Sequence, residues 1–170
     1  MMFEGKETMA GNLWQPLIAV DRECFGCGLE NPHGLQMCFE SNGTTLRSTV
    51  KMEQRFRGWS NLIHGGILST MLDEMMGWTV MILTGKFMLT RTMQVAFKRP
   101  VYIGAVLTVT GSIKERVSEK RVLVKAEIRD EGGLVCAESE GEFALFTREQ
   151  FLRMGIMPEE DLAAMAAAIS

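Results

Sequence analysis

The amino-acid sequence predicts an α+β fold in which one antiparallel β-sheet is wrapped around a long central helix. Three observations lead to this expectation. One long segment is apolar on nearly every side, several runs alternate apolar and polar residues, and short turns join those runs. Short connections favour antiparallel neighbours, and a helix that is apolar all round must be covered by other elements. A sheet that curls around the helix satisfies both requirements.

The first predicted elements are two strands joined by a tight turn. Residues 35–40 form a short strand candidate, and residues 44–52 form the returning strand. Asn42 and Gly43 between them accept the positive φ values of a hairpin turn. The segment 24–34, which is rich in turn-forming residues, is expected to be a compact loop in front of this hairpin.

The central helix is predicted over residues 65–83, which is long enough for about five turns. Gly85 follows at the position where a glycine commonly ends a helix. Four further strands, joined by short turns, are predicted at residues 87–98, 105–116, 120–130 and 134–147. The tail after them is predicted to be helical, with Pro158 in a first turn.

Length and charge narrow the class of protein. A chain of 170 residues is expected to form one domain, here residues 24–147 between an N-terminal arm (1–23) and a helical tail (148–170). A net charge of −3 gives no general attraction to nucleic acid or anionic membranes. No apolar run reaches the roughly 18 residues of a membrane span, and the N-terminus lacks the pattern of a secretory signal. A cytoplasmic location is the resulting expectation.

The cysteines raise the question of a metal or redox site. Four cysteines are too few for a disulfide scaffold at this length. Cys24 and Cys27 have the spacing of zinc ligands, but a closed zinc site needs about four ligands and no second paired motif follows. The sequence therefore predicts no metal and no cofactor, and the two cysteines are interpreted as packing residues near the active site.

Asp73 is unusual because it interrupts the apolar helix. A buried carboxylate is costly unless it has a partner. On a helical wheel it shares a stripe with the small or polar residues Gly66, Thr70 and Gly77. Two interpretations of Asp73 therefore stay open. It is either a functional acid that acts on a ligand or a structural acid that forms hydrogen bonds to a neighbouring loop or subunit. The next residue, Glu74, is interpreted as a solvated or interface residue.

The start of the helix is the second candidate site. Two glycines, Gly65 and Gly66, follow His64 and would let a ligand approach the backbone closely. The first N–H groups of a helix lack internal partners, so they can donate to an oxygen that becomes negative. The alternative is a glycine bend that serves packing alone.

Together these residues resemble a known family. His64-Gly65-Gly66 followed nine residues after the histidine by Asp73, with Phe97-Lys98-Arg99-Pro100 downstream, is similar to the hotdog-fold acyl-CoA thioesterases. The branch that it resembles is the phenylacetyl-CoA thioesterase-like one. The segments Cys24-Phe25-Gly26-Cys27-Gly28 and Asn31-Pro32-His33-Gly34-Leu35 extend the resemblance, which covers roughly residues 24–146.

The resemblance implies a role for each of these residues. Asp73 would be the nucleophile or general base, and the backbone N–H of Gly65, with Gly66 close behind, would polarise the thioester carbonyl. His64 could be taken as a general base, but a structural role in fixing the loop is preferred. An acyl-CoA substrate is implied, and Met71, Met75, Met88 and Trp78 are candidate residues for its acyl pocket.

Further positions follow from the same resemblance. Thr90 would orient Asp73 or hold the attacking water, and Thr92 competes for this role because it is expected to share the same strand face. Some family members carry an asparagine where this chain has Gly58, and Asn61, nearby but out of register, is a candidate substrate contact. Lys98 and Arg99 are candidates for binding the phosphates of coenzyme A.

Helix geometry predicts that one active site needs two chains. Gly65 and Asp73 are eight residues apart, or about 12 Å along a helix. Both groups should lie about 3 Å from the reacting centre, so antiparallel helices of two subunits are expected to supply them. The sequence thus predicts a homodimer or a dimer of dimers that hydrolyses acyl-CoA. The alternative is a non-catalytic acyl-CoA binding or sensing protein of the same fold, while a hydratase would need a different Asp and His pattern.

Overall fold

The structure, a computed structural model, describes residues 13–169. Residues 1–12 of the predicted arm and Ser170 of the predicted tail lie outside the described residues. The described chain contains seven strands, three α-helices and a short 3-10 turn at Gln54–Phe56. The strands are β1 (Gln15–Pro16), β2 (Glu40–Ser41), β3 (Leu46–Lys51), β4 (Phe87–Phe97), β5 (Val106–Ser118), β6 (Arg121–Arg129) and β7 (Val135–Phe146). The helices are α1 (Gly65–Thr84), α2 (Arg148–Arg153) and α3 (Glu159–Ile169).

All seven strands form one sheet, and a long helix packs against it, as the sequence predicted. The order across the sheet is β1-β2-β3-β5-β6-β7-β4, and every neighbouring pair is antiparallel. Buried residues alternate with less buried ones along β6 and β7. This alternation directs one face of each strand toward α1, so the core lies between the helix and the inner face of the sheet.

Helix α1 begins and ends as its sequence predicts. His64 caps its N-terminus, and Gly85 ends it in the left-handed conformation with φ of 65°. Polar side chains inside the helix are satisfied locally, since the buried hydroxyl of Thr79 donates to the Met75 carbonyl at 2.7 Å. The helix can therefore be covered by the sheet without leaving that hydroxyl unpaired.

The strand predicted at residues 35–40 is wrong over most of its length, because only Glu40 falls in a strand. Gln36 has a positive φ of 52°, which interrupts an extended chain. The N–H groups of Leu35 and Met37 donate instead to the carbonyls of Phe25 and Gly26. The alternation of buried Leu35, Met37 and Phe39 is genuine, but the backbone partner of this segment is the cysteine loop.

The predicted helical tail is two helices. A capping box of Thr147 and Gln150 begins α2, and Gly155 with φ of 64° lies between the two helices. Phe151 of α2 stacks on Phe87 at a ring distance of 5.0 Å. The tail thus packs onto the first residue of β4, just after the end of the central helix.

No helix among residues 13–169 combines the length and apolar character that crossing a bilayer requires.

Candidate active site

Asp73 and Thr90 meet at the edge of the sheet. Asp73 lies half-buried on α1, and Thr90 is an exposed residue of β4, the last strand of the sheet. The Thr90 hydroxyl donates a hydrogen bond of 2.9 Å to Asp73 Oδ1. No other hydrogen bond or ion pair engages the side chain of Asp73 within the described chain, so its Oδ2 remains available at an accessible position.

A β-bulge separates Thr90 from Thr92. Thr90 pairs with Phe143 of β7, whereas Thr92 pairs with the adjacent Glu142. Directly opposed residues of an antiparallel pair point to the same side of the sheet, and successive residues of β7 point to opposite sides. Thr92 therefore faces away from α1, and the expectation that it shares a strand face with Thr90 is wrong. The sequence contains no clear signal for the extra residue, Arg91.

The helix start uses its two glycine amides differently. The Gly66 N–H donates to Nδ1 of His64 at 2.8 Å, so it is already engaged. The Gly65 N–H has no hydrogen-bond partner anywhere in residues 13–169. Of the two predicted oxyanion donors, only Gly65 thus offers a free amide, because the His64 ring accepts the N–H of Gly66. This contact gives His64 the structural role preferred from the sequence.

A recess of about 340 Å³ opens beside the free amide of Gly65. Its lining consists of residues around the helix start and the end of β4: Leu62, Ile63, Gly65, Leu68, Phe97, Lys98, Arg99, Pro100 and Val101. The ring of Phe97 is half exposed and covers the position where a Gly65 side chain would begin. The recess therefore combines an apolar wall with two cations.

Both predicted phosphate-binding cations line this recess and already have partners. Lys98 forms an ion pair of 2.8 Å with Glu138, and Arg99 donates to the Val135 carbonyl at 2.6 Å. Both side chains are exposed, so exchange of these partners for a ligand costs little. Asn61 is not among the lining residues; its carbonyl instead accepts from the Ile103 N–H at 3.0 Å.

The recess and Asp73 are separate within one chain. Helix α1 is continuous from Gly65 to Thr84, so eight residues at about 1.5 Å each place them about 12 Å apart along the axis. Asp73 does not line the recess. A larger groove of about 950 Å³ lies across β4 to β7 and also excludes Asp73, Thr90 and Gly65.

The residues proposed for an acyl pocket belong to the core. Met71 and Met75 are fully buried, and Trp78 is buried and stacks on Phe39 at 5.1 Å. Met88 is partly buried and packs against the same core. These side chains fill the space between helix and sheet, so within the single chain they serve as core, and their role in an acyl pocket stays a prediction.

Glu74 lies on another side of α1, and of the two alternatives given for it, a solvated residue is wrong, whereas an interface residue stays a prediction. The loop that contains Cys24 and Cys27 covers it, and its Oε1 accepts from Trp78 Nε1 at 3.1 Å. Burial raises the pKa of Glu74 to about 7, and the nearby Cys24 sulfur contributes in the same direction. Sequence reasoning missed this contact because the loop and the helix are far apart along the chain.

The two thiols beside Glu74 differ in acidity. A hydrogen bond between them holds the pKa of Cys24 below its usual range and raises the pKa of Cys27. The Cys24 sulfur lies 3.7 Å from Glu74 Oε1. That contact is a donated hydrogen bond only while Cys24 is a thiol, because a thiolate would repel the ionised carboxylate.

Comparisons with known proteins agree with this architecture. The family model of the thioesterase superfamily matches residues 60–137, which contain the helix start, α1 and β4. A crystal structure of a thioesterase superfamily protein is 27% identical and has a TM-score of 0.66, with 81% of this chain and 70% of that chain covered. A search of curated proteins found no match.

Two more distant structures share the fold. A hypothetical thioesterase from Streptococcus pneumoniae, solved with coenzyme A, is 18% identical with a TM-score of 0.58, over 62% of this chain and 80% of that chain. The PaaI protein of the Escherichia coli phenylacetic acid degradation operon is 17% identical with a TM-score of 0.59, over 66% and 80%. The chain has the hotdog fold, and the resemblance to the thioesterase superfamily is confirmed.

Proposed function

We propose that this chain, given its relationship to the thioesterase superfamily, hydrolyses acyl-CoA thioesters to a free acid and coenzyme A. The observation that carries the proposal is the hydrogen bond of 2.9 Å from Thr90 to Asp73 at an accessible sheet edge. A hydroxyl that binds Oδ1 fixes the carboxylate and leaves Oδ2 to act. No cation contacts Asp73 among the described residues, so its carboxylate is not engaged in an ion pair that would oppose its action as a base.

Asp73 acts as nucleophile or as general base. As a base, Oδ2 takes a proton from water while the water oxygen attacks the thioester carbon. The carbonyl oxygen then becomes negative, and the free N–H of Gly65 at the helix N-terminus donates to it. The carbon–sulfur bond breaks, and the thiolate of coenzyme A leaves and takes up a proton. Lys98 and Arg99 lie beside Gly65, where they can bind the phosphates of the leaving coenzyme.

Two chains are needed to complete this site, because Gly65 and Asp73 of one chain are too far apart. We propose a homodimer, or a dimer of such dimers, in which antiparallel α1 helices bring Gly65 of one subunit beside Asp73 of the other. The edge of β4 supports this arrangement, since among residues 13–169 this strand of 11 residues pairs only with β7. Long unpaired edges such as this one readily pair with another chain.

The test is a thiol-release assay with short, medium, long and aromatic acyl-CoA substrates. The wild-type protein should hydrolyse at least one class, and Asp73→Asn should not, while both elute as the same oligomer. Hydrolysis by a monomer would contradict the shared site. Binding of acyl-CoA without any thiol release would instead favour the non-catalytic binding protein.

A further inference from the structure

Three side chains that the proposed hydrolysis does not use form a compact cluster on another side of α1. The sulfur atoms of Cys24 and Cys27 and a carboxylate oxygen of Glu74 all lie within 4.8 Å of one another. Glu74 is fifty positions away from Cys24 in the sequence. The spacing of Cys24 and Cys27 in the sequence therefore gives no sign that Glu74 could be a third ligand.

The backbone holds both thiols in place independently of their side chains. The Gly28 N–H donates to the Cys24 carbonyl at 2.9 Å, and the Met37 N–H donates to the Gly26 carbonyl at 2.9 Å. Gly26 lies directly over Glu74, because a Cβ atom there would overlap the carboxyl group. The loop thus depends on a glycine to bring two sulfur atoms close to the carboxylate.

Glu74 is also oriented for a ligand. Oε1 accepts from Trp78 Nε1 at 3.1 Å, and Oε2 lies directly beneath Gly26 of the loop. The hydrogen-bond partners of Glu74 are Trp78 and the thiols of Cys24 and Cys27, and no Lys or Arg pairs with it within residues 13–169. A covered carboxylate beside two thiols lacks a positive partner, and a bound cation would supply one.

We propose that Cys24, Cys27 and Glu74 bind a zinc ion. Two cysteines separated by two residues are typical zinc ligands, and thiolate sulfur selects zinc over magnesium or calcium. A carboxylate supplies the third ligand, and water fills the fourth position of the tetrahedron. Binding releases the protons of both thiols. The ion joins the N-terminal loop to α1 at the turn of helix that also carries Asp73.

A competing interpretation is a disulfide between Cys24 and Cys27. The spacing allows it, but a disulfide needs neither Glu74 nor the close approach at Gly26. The third donor therefore favours the metal.

The test is zinc content, measured by atomic emission on the full chain prepared without a metal-binding tag, incubated with zinc sulfate and desalted. About one zinc per chain is expected. Cys24→Ser and Cys27→Ser should lower zinc affinity at least tenfold, and Glu74→Gln should do the same. Cys38→Ser, which changes an exposed cysteine outside the cluster, should bind zinc as the wild type does.

Cobalt substitution identifies the ligands directly. The wild-type protein with Co²⁺ should show a thiolate-to-metal charge-transfer band. Each of the substitutions Cys24→Ser and Cys27→Ser should weaken this band. Circular dichroism shows which variants are folded, and Cys24→Ser, at the less buried thiol, serves if Cys27→Ser does not fold. Wild-type protein without zinc after loading, or a Glu74→Gln variant with unchanged affinity, would overturn the assignment. Thiol-release activity is recorded separately, so failure here leaves the proposed hydrolysis untouched.

Discussion

Asp73 and Glu74 are adjacent in the sequence, yet α1 places them in two different environments. A step of one residue turns a helix by about 100°. Asp73 therefore reaches the hydroxyl of Thr90 at the open edge of the sheet, whereas Glu74 points under the cysteine loop. Burial raises the pKa of Glu74 to about 7. The elements that pack around each acid decide its chemistry.

The two regions also differ in how they are completed. The Asp73 region faces solvent and lacks the Gly65 amide within the same chain, so a second subunit is expected to supply it. The Glu74 region is closed by residues of its own chain, since Cys24, Cys27 and Trp78 surround the carboxylate. We therefore expect changes at Asp73 to affect turnover, and changes around Glu74 to affect stability and metal content.

The largest effect is expected at Asp73. The substitution Asp73→Asn keeps the side-chain shape but removes the group that takes the proton, so kcat for thioester hydrolysis should fall about 10²–10⁴-fold. The melting temperature should change little. The matched control is Asp161→Asn, at an exposed position in the first turn of α3, and equal activity of the two variants would refute the role of Asp73.

The next largest effect is expected at the loop over Glu74. Gly26→Ala forces either the Glu74 carboxyl group or the loop to move, and overpacking of this kind costs about 1–3 kcal/mol of unfolding free energy. Zinc affinity should fall with it. Gly132→Ala, in the turn between β6 and β7, is the matched control in thermal unfolding. A Gly26→Ala protein as stable as this control would show that the close approach is unimportant.

A smaller effect is expected at Thr90. Thr90→Ala removes the hydroxyl that fixes Asp73 but leaves the acid, so kcat should fall about tenfold, a loss of about 1.4 kcal/mol. Thr90→Ser should restore activity because it keeps the hydroxyl. Thr92→Ala, on the other face of β4, should cost less than Thr90→Ala. Equal losses of kcat for Thr90→Ala and Thr92→Ala in the thiol-release assay would contradict the conclusion that the bulge turns Thr92 away from Asp73.

The smallest effect is expected at a fully exposed acid. A hydrogen bond from Lys86 holds the pKa of Glu119 below its usual range. A lowered pKa gives stability that is present above the unfolded-state pKa and is lost as the pH falls through the folded-state pKa. Because the pair is exposed, Glu119→Gln should lower the melting temperature only slightly at neutral pH, with the difference vanishing in acid. Glu131→Gln is the control, and a large difference at neutral pH would contradict this view.

Much of the fold could be predicted because it depends on local patterns. The apolar segment from Gly65 onward gave α1, with Gly85 at its end, and alternation with short turns gave β4 to β7. The contact of Asp73 with Thr90 follows from the family resemblance, and the structure brings the two side chains together. Such elements can be predicted because the period of the apolar residues along the sequence matches the period of the helix or strand whose face they bury.

Other features depend on contacts between distant segments. The bulge at Arg91, the engagement of the Gly66 amide and the backbone partners of Leu35 and Met37 each depend on the placement of another element. None of these has a periodic signal. Predictions for Thr92, Gly66 and the strand at residues 35–40 therefore departed from the structure.

By itself, the sequence determined one sheet, one buried helix and an acid at a fixed distance from a glycine-rich helix start. Hydrophobic periodicity and helix rise are enough for that, because both are properties of short segments. Only the tertiary structure decided which of two neighbouring acids is open and which is covered. The covering loop reaches Glu74 across fifty residues of chain, and a contact at that separation depends on packing rather than on any local pattern.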